Sequence, residues 1–405
     1  MLPLLLLAAL TVRQDQTPLR TACGDAEQAI ATLAAGTPVE VRFAIADGSR
    51  CLKVTATVDG QNVIGYVPEN ALTNIDQFDR ARNSASSLDA PVQDLARQIT
   101  AATTQAPGGA PLNRAVAMLQ ANHPQEALSL LEKLAAQKNA DPNLLTAAGL
   151  AAWKSDQTRD ALDYWKRSLD QKPDSQLAAL YAKVQREVNA DKSGEKLYGA
   201  HVLVRYESGT LPADTARALL AMLDSEAGRI SEQLGCNTTE RLVAIVQSRQ
   251  AYFQATGAAE WSGGLYDGRI HIPMEAGDPV DARLRRTLAH ETVHACVAMI
   301  PAGANPWPSW LHEGLAQKLS GDRLNPAMRA QIRRSAEEHS IPRLEQLGQN
   351  WSGLSTANAQ IAYGMALAAV DLLMESNQSD TVRNVLSNPD RLPQVTADLD
   401  KRLGM

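Results

Sequence analysis

Apolar and polar positions follow different periods along this chain, and each period marks a region. Leu2 to Leu10 is an unbroken apolar run of nine. It is too short to cross a bilayer and suits the apolar segment of an export signal, so residues 1–16 are expected to lie outside the fold. Period-two alternation follows in Pro38 to Phe43, Cys51 to Val58 and Asn62 to Pro68, which predicts short strands, with Asp59-Gly60 as the hairpin turn between the last two. A small β domain over 17–76 is expected. Residues 77–112 form the linker, since Asn83 to Pro111 lose periodicity and turn to Ser, Ala, Thr, Gln, Gly and Pro. Residues 113–195 return to helical spacing, and Ala127 and Leu131 recur 34 residues later as Ala161 and Trp165. Such a unit cannot bury its apolar face alone, so a further helix near 177–190 is expected to cover the last one.

The remaining region, 196–405, mixes both periods. His201 to Tyr206 and Leu242 to Val246 read as strands, separated by an amphipathic helix from about Asp214 to Leu234 that stops at Gly235. A short helix over Arg249 to Thr256 precedes Gly263 to Pro273, which reads as a hairpin or edge strand. Next comes a helix that starts at Asp278-Pro279 or Asp281, carries Leu284, Leu288 and the apolar stretch from Val293 to Met299, and ends at Pro301 and Gly303. Ser309 caps the following helix, which ends near Gly321, and the rest of the chain, including Thr356 to Glu375, is helical.

Chemistry concentrates in Leu288-Ala289-His290-Glu291-Thr292-Val293-His294. Two histidines four apart on a helix stand one turn above each other, so both imidazoles reach one ion, with Glu291 beside them at the height of a water on that ion. A catalytic zinc wants three protein ligands and an open position, and a carboxylate from the next helix can be the third. Glu313 falls 19 residues after His294 and suits that role. His312 is its rival, but neighbours on a helix point about 100° apart, so one of the two faces the ion. Gly314 and Ala316 flank Glu313 with small side chains that would let this helix approach the motif helix closely, which favours Glu313.

His290 to His294 followed by Trp310-Leu311-His312-Glu313-Gly314-Leu315-Ala316 resembles the gluzincin metallopeptidases of the peptidase MA-like group, over about half the chain. The resemblance implies a zincin-like α+β domain, zinc held by His290, His294 and Glu313, Glu291 as general base and a peptide or protein substrate. It also implies that Tyr363, at about this distance after the Glu ligand, donates to the oxyanion. The edge strand would pair with extended substrate, with Gly264, Tyr266 and His271 as contacts; on the residues alone a histidine at such a strand position is more often packed or solvated than catalytic. Four residues beyond the Glu ligand, where that family often has an Asp, this chain has Gln317. Gly65-Tyr66-Val67-Pro68 resembles the end of a bacterial SH3-like barrel, and Gly149 and Pro173 stand where a tetratricopeptide repeat has its packing Gly and terminal Pro. Those resemblances imply a cell-wall or protein ligand for either module.

Composition narrows the compartment and the partners. With 44% hydrophobic and 21% charged residues the chain is of ordinary globular type, and a net charge of −6 gives no basic footprint for nucleic acid. No stretch of the mature chain is long enough to span a membrane. Cys23 and Cys51 are expected to staple the small β domain, which fits export to a bacterial periplasm or exterior. Cys236 and Cys296 remain open between thiol and disulfide. The expected fold is multidomain α+β: an SH3-like β-barrel, a helical repeat segment and a zincin-like domain. The competing function is an exported binding or scaffold protein that uses the barrel and repeats, with a non-catalytic zinc site.

Overall fold

The computed structural model describes residues 10–24, 27–44, 51–73, 75, 109–191, 194–236, 240–256, 263–300, 307–347, 351, 356–375 and 378–405. The expected linker up to residue 108, and Pro301 and Gly303, lie outside the described residues. Two compact units divide them. One takes the chain up to residue 75 together with Trp307–Lys318 and Asp322–Met405. Its strands β1 (Thr17–Arg20), β2 (Ala29–Leu33), β3 (Val39–Ala44), β4 (Cys51–Val58) and β5 (Gln61–Pro68) form an antiparallel sheet in the order β2-β1-β5-β4-β3. Asp59 (φ +50°) and Gly60 (φ +78°) turn β4 into β5 in the left-handed region that a tight hairpin with right-handed strand twist requires.

Two expectations are corrected in this sheet. Among the described residues β2 and β3 remain outer strands, so the barrel does not close; closure needs a ladder between strands that no turn signal reports. Leu10 and Val12 belong to the core with Leu19, Leu52, Val54 and Val67, and Thr11 and Val12 bridge to Pro38 and Leu72. The end of the apolar run is thus strand-like core, and only residues 1–9 of the expected signal lie outside the described residues. Cys23 and Cys51 are bridged, as expected.

The other unit runs from residue 109 to 300 and includes Leu319–Gly321. Helices α1 (Ala110–Gln120), α2 (Pro124–Ala135), α3 (Pro142–Lys154), α4 (Thr158–Gln171) and α5 (Ser175–Ala190) share one core. Ala127, Leu131, Ala161 and Trp165, the recurring pairs, are fully buried in it. Gly149 of α3 lies against the Trp165 indole, where a Cβ would come within 2.3 Å of Nε1, so no larger residue fits without displacing the ring.

Strands β6 (Glu195–Tyr198), β7 (Val202–Tyr206), β8 (Leu242–Gln247), β9 (Leu265–Tyr266) and β10 (Ile270–Pro273) form a mixed sheet in the order β6-β7-β8-β10-β9. β7, β8 and β10 run parallel, and β6 and β9 close the two edges antiparallel. Helix α6 (Ala213–Leu234) ends at left-handed Gly235 and joins α8 (Ala282–Met299) in burying Leu219, Leu223, Leu288 and Ala295 against Val204, Ala244 and Ile272. The short α7 (Arg249–Thr256) follows β8. Of the two candidate starts for α8, Asp281 is the cap: its carboxylate accepts from the N–H groups of Arg283 and Leu284. Cys296 of α8 is bridged to Cys236, just beyond the end of α6, which settles the pairing the sequence left open.

Back in the first unit, α9 (Ser309–Ser320), α10 (Pro326–Glu337), α11 (Thr356–Glu375), α12 (Gln378–Ser387) and α13 (Leu392–Leu403) complete the chain. Buried Lys53 of β4 donates to the carbonyl of His339 at 2.8 Å and to the Tyr66 hydroxyl at 3.1 Å. One cation thereby ties the sheet to the turn after α10.

Candidate metal centre

Helix α8 buries Leu288, Ala289, Val293 and Cys296, and the same registry brings His290 and His294 together, with ring centroids 4.8 Å apart and planes crossed at 75°. Thr292 spends its hydroxyl on the Leu288 carbonyl at 2.7 Å, inside the helix and away from the imidazoles. The ligand atoms of His290, His294 and Glu313 lie within 4.8 Å of one another, a group that could hold a metal ion. His312 is not part of that group. Burial pushes its imidazole down to about 4, with Glu313 pulling the other way.

Glu291 is 8% exposed, and its Oε2 accepts the backbone N–H of Tyr266 at 2.7 Å. The alternation of an antiparallel pair explains the contact. Asp267 donates across to the Arg269 carbonyl, so the N–H one residue earlier turns to the outer edge of β9, where the Glu291 carboxylate meets it. Gly264 permits the approach: a Cβ there would stand 3.0 Å from Thr287 Cγ2 and 3.3 Å from Glu291 Cγ.

The three residues expected to touch substrate therefore part company. Gly264 lies beside Glu291. Tyr266 presents its backbone to Glu291, while its side chain belongs to the sheet's core. His271 is corrected to a packed residue: β10 is not the edge but lies between β8 and β9, and the imidazole is 0% exposed, with Nδ1 3.1 Å from Gln247 Oε1 and Nε2 3.1 Å from Asp267 Oδ1.

On α9, Gly314 does permit a close approach, but to α11: a Cβ would stand 2.3 Å from the Ala366 carbonyl oxygen. The expectation that it serves contact with the motif helix is corrected accordingly. Gln317, the departure from the family pattern, donates its side-chain amide to the carbonyls of Tyr363 at 3.0 Å and Glu313 at 3.2 Å, bracing α9 on α11. Tyr363 is 39% exposed and meets the Trp351 ring edge-on at 5.0 Å, so it is not a core tyrosine.

One set of residues near the centre was not singled out from the sequence. Arg269 and Asp267, at the tip of the β9–β10 hairpin, are buried among charged side chains of the helical segment. Arg269 pairs with Asp156 at 3.2 Å and Glu187 at 3.0 Å, and Asp267 pairs with Lys183 at 2.5 Å. Burial works to raise the Asp267 carboxyl, but Lys183 and His271 outweigh it and hold it well below the ordinary range. A signal existed: Lys183 and Glu187 fall at helical spacing among Leu177, Leu180 and Val184, charges on an otherwise apolar stripe. No protein-family model matches this chain, and a search of curated proteins finds no match.

Proposed function

We propose that the chain is a zinc-dependent peptidase of gluzincin type, exported to an oxidising compartment. The observation that carries the reading is the His290, His294 and Glu313 group with Glu291 on the same helix turn. Two imidazoles and one carboxylate suit zinc and leave a coordination position open, whereas calcium and magnesium favour sets made of oxygen alone. Zinc, when bound, supplies a Lewis acid at that group. Glu291 takes the proton of the attacking water on its carboxylate and passes it to the nitrogen of the leaving amine. The Tyr266 N–H holds one carboxylate oxygen and so orients the other for that work. Tyr363 is the proposed hydroxyl donor to the developing oxyanion, a role its partial exposure permits. Gly264, just before β9 and beside Glu291, is the proposed contact for an extended peptide.

Two disulfides support an oxidising compartment, and among the described residues no helix is long and apolar enough to cross a membrane. The test is casein hydrolysis with and without a chelator, in wild type and Glu291→Gln. Gln keeps the shape and leaves the ligands untouched, so the variant should retain zinc and lose about 10²- to 10⁴-fold in turnover. A zinc-loaded wild type that cleaves no peptide, or a Glu291→Gln variant with wild-type turnover, contradicts the reading.

A further inference from the structure

The β9–β10 hairpin is held at its tip by ion pairs and hydrogen bonds from the helical segment. Arg269 directs its guanidinium to four acceptors: Asp156 and Glu187 by charge, the Trp153 carbonyl at 2.9 Å and the Thr158 hydroxyl at 2.7 Å. Its Cζ also lies 5.5 Å from the centre of the Trp153 ring. On the other side of the turn, Lys183 reaches both the Asp267 carboxylate and, at 3.2 Å, the Asp267 carbonyl. Gly268, with φ +100°, sits between them under Trp153, where a Cβ would come within 2.2 Å of the indole. Lys196 and Arg205 complete the set against Asp156, and Arg205 also pairs with Asp191, so Lys183, Lys196, Arg205 and Arg269 face Asp156, Glu187, Asp191 and Asp267. The buried pairs among them, Arg269 with Glu187 and Lys183 with Asp267, add little net stability over apolar packing, but they admit one geometry.

That geometry ends one residue from Glu291. Tyr266, whose N–H the Glu291 carboxylate accepts, immediately precedes Asp267. We propose that Asp267 and Arg269 are positioning residues: through Lys183, Glu187 and Asp156 the helical segment fixes the β9 edge so that the Tyr266 amide orients the Glu291 carboxylate. The helical segment is then part of the catalytic unit, not an appended docking module. The inference rests on Glu291 being the general base, and the experiment separates the two.

Lys183→Met with Asp267→Asn removes a cation and an anion together, leaving no uncompensated buried charge, and Asn keeps an oxygen toward His271. Residue-resolved hydrogen exchange and peptidase kinetics are measured on the full chain. Tyr266 N–H exchange should accelerate at least about tenfold, as in a Glu291→Ala control that removes the acceptor, while β7, β8 and α8 keep wild-type protection. Turnover should fall about tenfold or more with KM and zinc content unchanged, since a misplaced base affects only the chemical step. Arg269→Lys, which keeps the charge but gives up the fork, serves if the double variant does not fold, and should show the same two changes to a smaller extent. Unchanged Tyr266 exchange, or faster exchange with wild-type turnover, overturns the proposal. If the wild-type chain cleaves nothing, the peptidase reading fails by itself, and the exchange result still decides whether these residues hold the amide on Glu291.

Discussion

Replacing Cys236 and Cys296 by Ala tests what holds helix α8 in place. The bridge joins residues 60 apart in sequence and enters α8 two positions after His294. In the chain-entropy account, a closed loop of that length restricts the unfolded chain by about 4 kcal/mol at 25 °C. Loss of the buried sulfurs adds a small packing cost. For a unit of about 200 residues this corresponds to a fall in melting temperature of about 8–16 °C. The assay is calorimetric unfolding of wild type and double variant, both stripped with chelator so that metal binding does not add its own stabilisation. The zinc-loaded pair run afterwards should show the variant binding zinc more weakly, because α8 has lost its covalent anchor. A loss below about 1 kcal/mol in the metal-free proteins refutes the reasoning: the bridge would then not be what confines this segment of chain.

Other expectations concern single side chains. Burial raises the Asp400 carboxyl to about 6 even though its Oδ1 accepts the Leu344 N–H at 2.9 Å. The native state therefore binds this proton more tightly than the unfolded chain, so stability from this group is present below about pH 4 and is lost as pH rises through 6. Asp400→Asn, which keeps the acceptor, should stabilise by about 1 kcal/mol at pH 8 and by nothing at pH 4 in melting curves; an equal effect at both contradicts the assignment. Tyr363→Phe removes only a hydroxyl from a partly exposed ring, so turnover should fall about 10²-fold with zinc and melting temperature unchanged, and wild-type turnover would take Tyr363 out of the reaction.

Local patterns carried much of this architecture. The recurrence of Ala127 and Leu131 as Ala161 and Trp165 marked side chains that are fully buried, because helical spacing and burial are the same fact read twice. His290, His294 and Glu313 came together as their spacing on two helices suggested, and the 100° step between neighbours separated Glu313 from His312. What failed was information about partners distant in sequence. Gly314 announced a close approach but not to which helix, and the partner is Ala366. His271 looked like an edge position because a hairpin shows only its neighbouring strand, whereas parallel pairing with β8 on the other side buries it. Leu10 ends an apolar run that reads as an export signal, and Val12 lies two residues beyond it, yet the core holds both. The charges that meet Arg269 come from Asp156 in the turn between α3 and α4 and from Glu187 of α5, so no window of sequence contains both sides of a pair.

Zinc content, measured by metal analysis on wild type, Glu313→Ala and His312→Ala purified side by side, tests the central claim most directly. The account predicts about one zinc per chain in wild type and in His312→Ala, and metal lost or weakly held in Glu313→Ala, since two imidazoles alone leave the site a ligand short. Zinc retained at wild-type affinity in Glu313→Ala but lost in His312→Ala contradicts it.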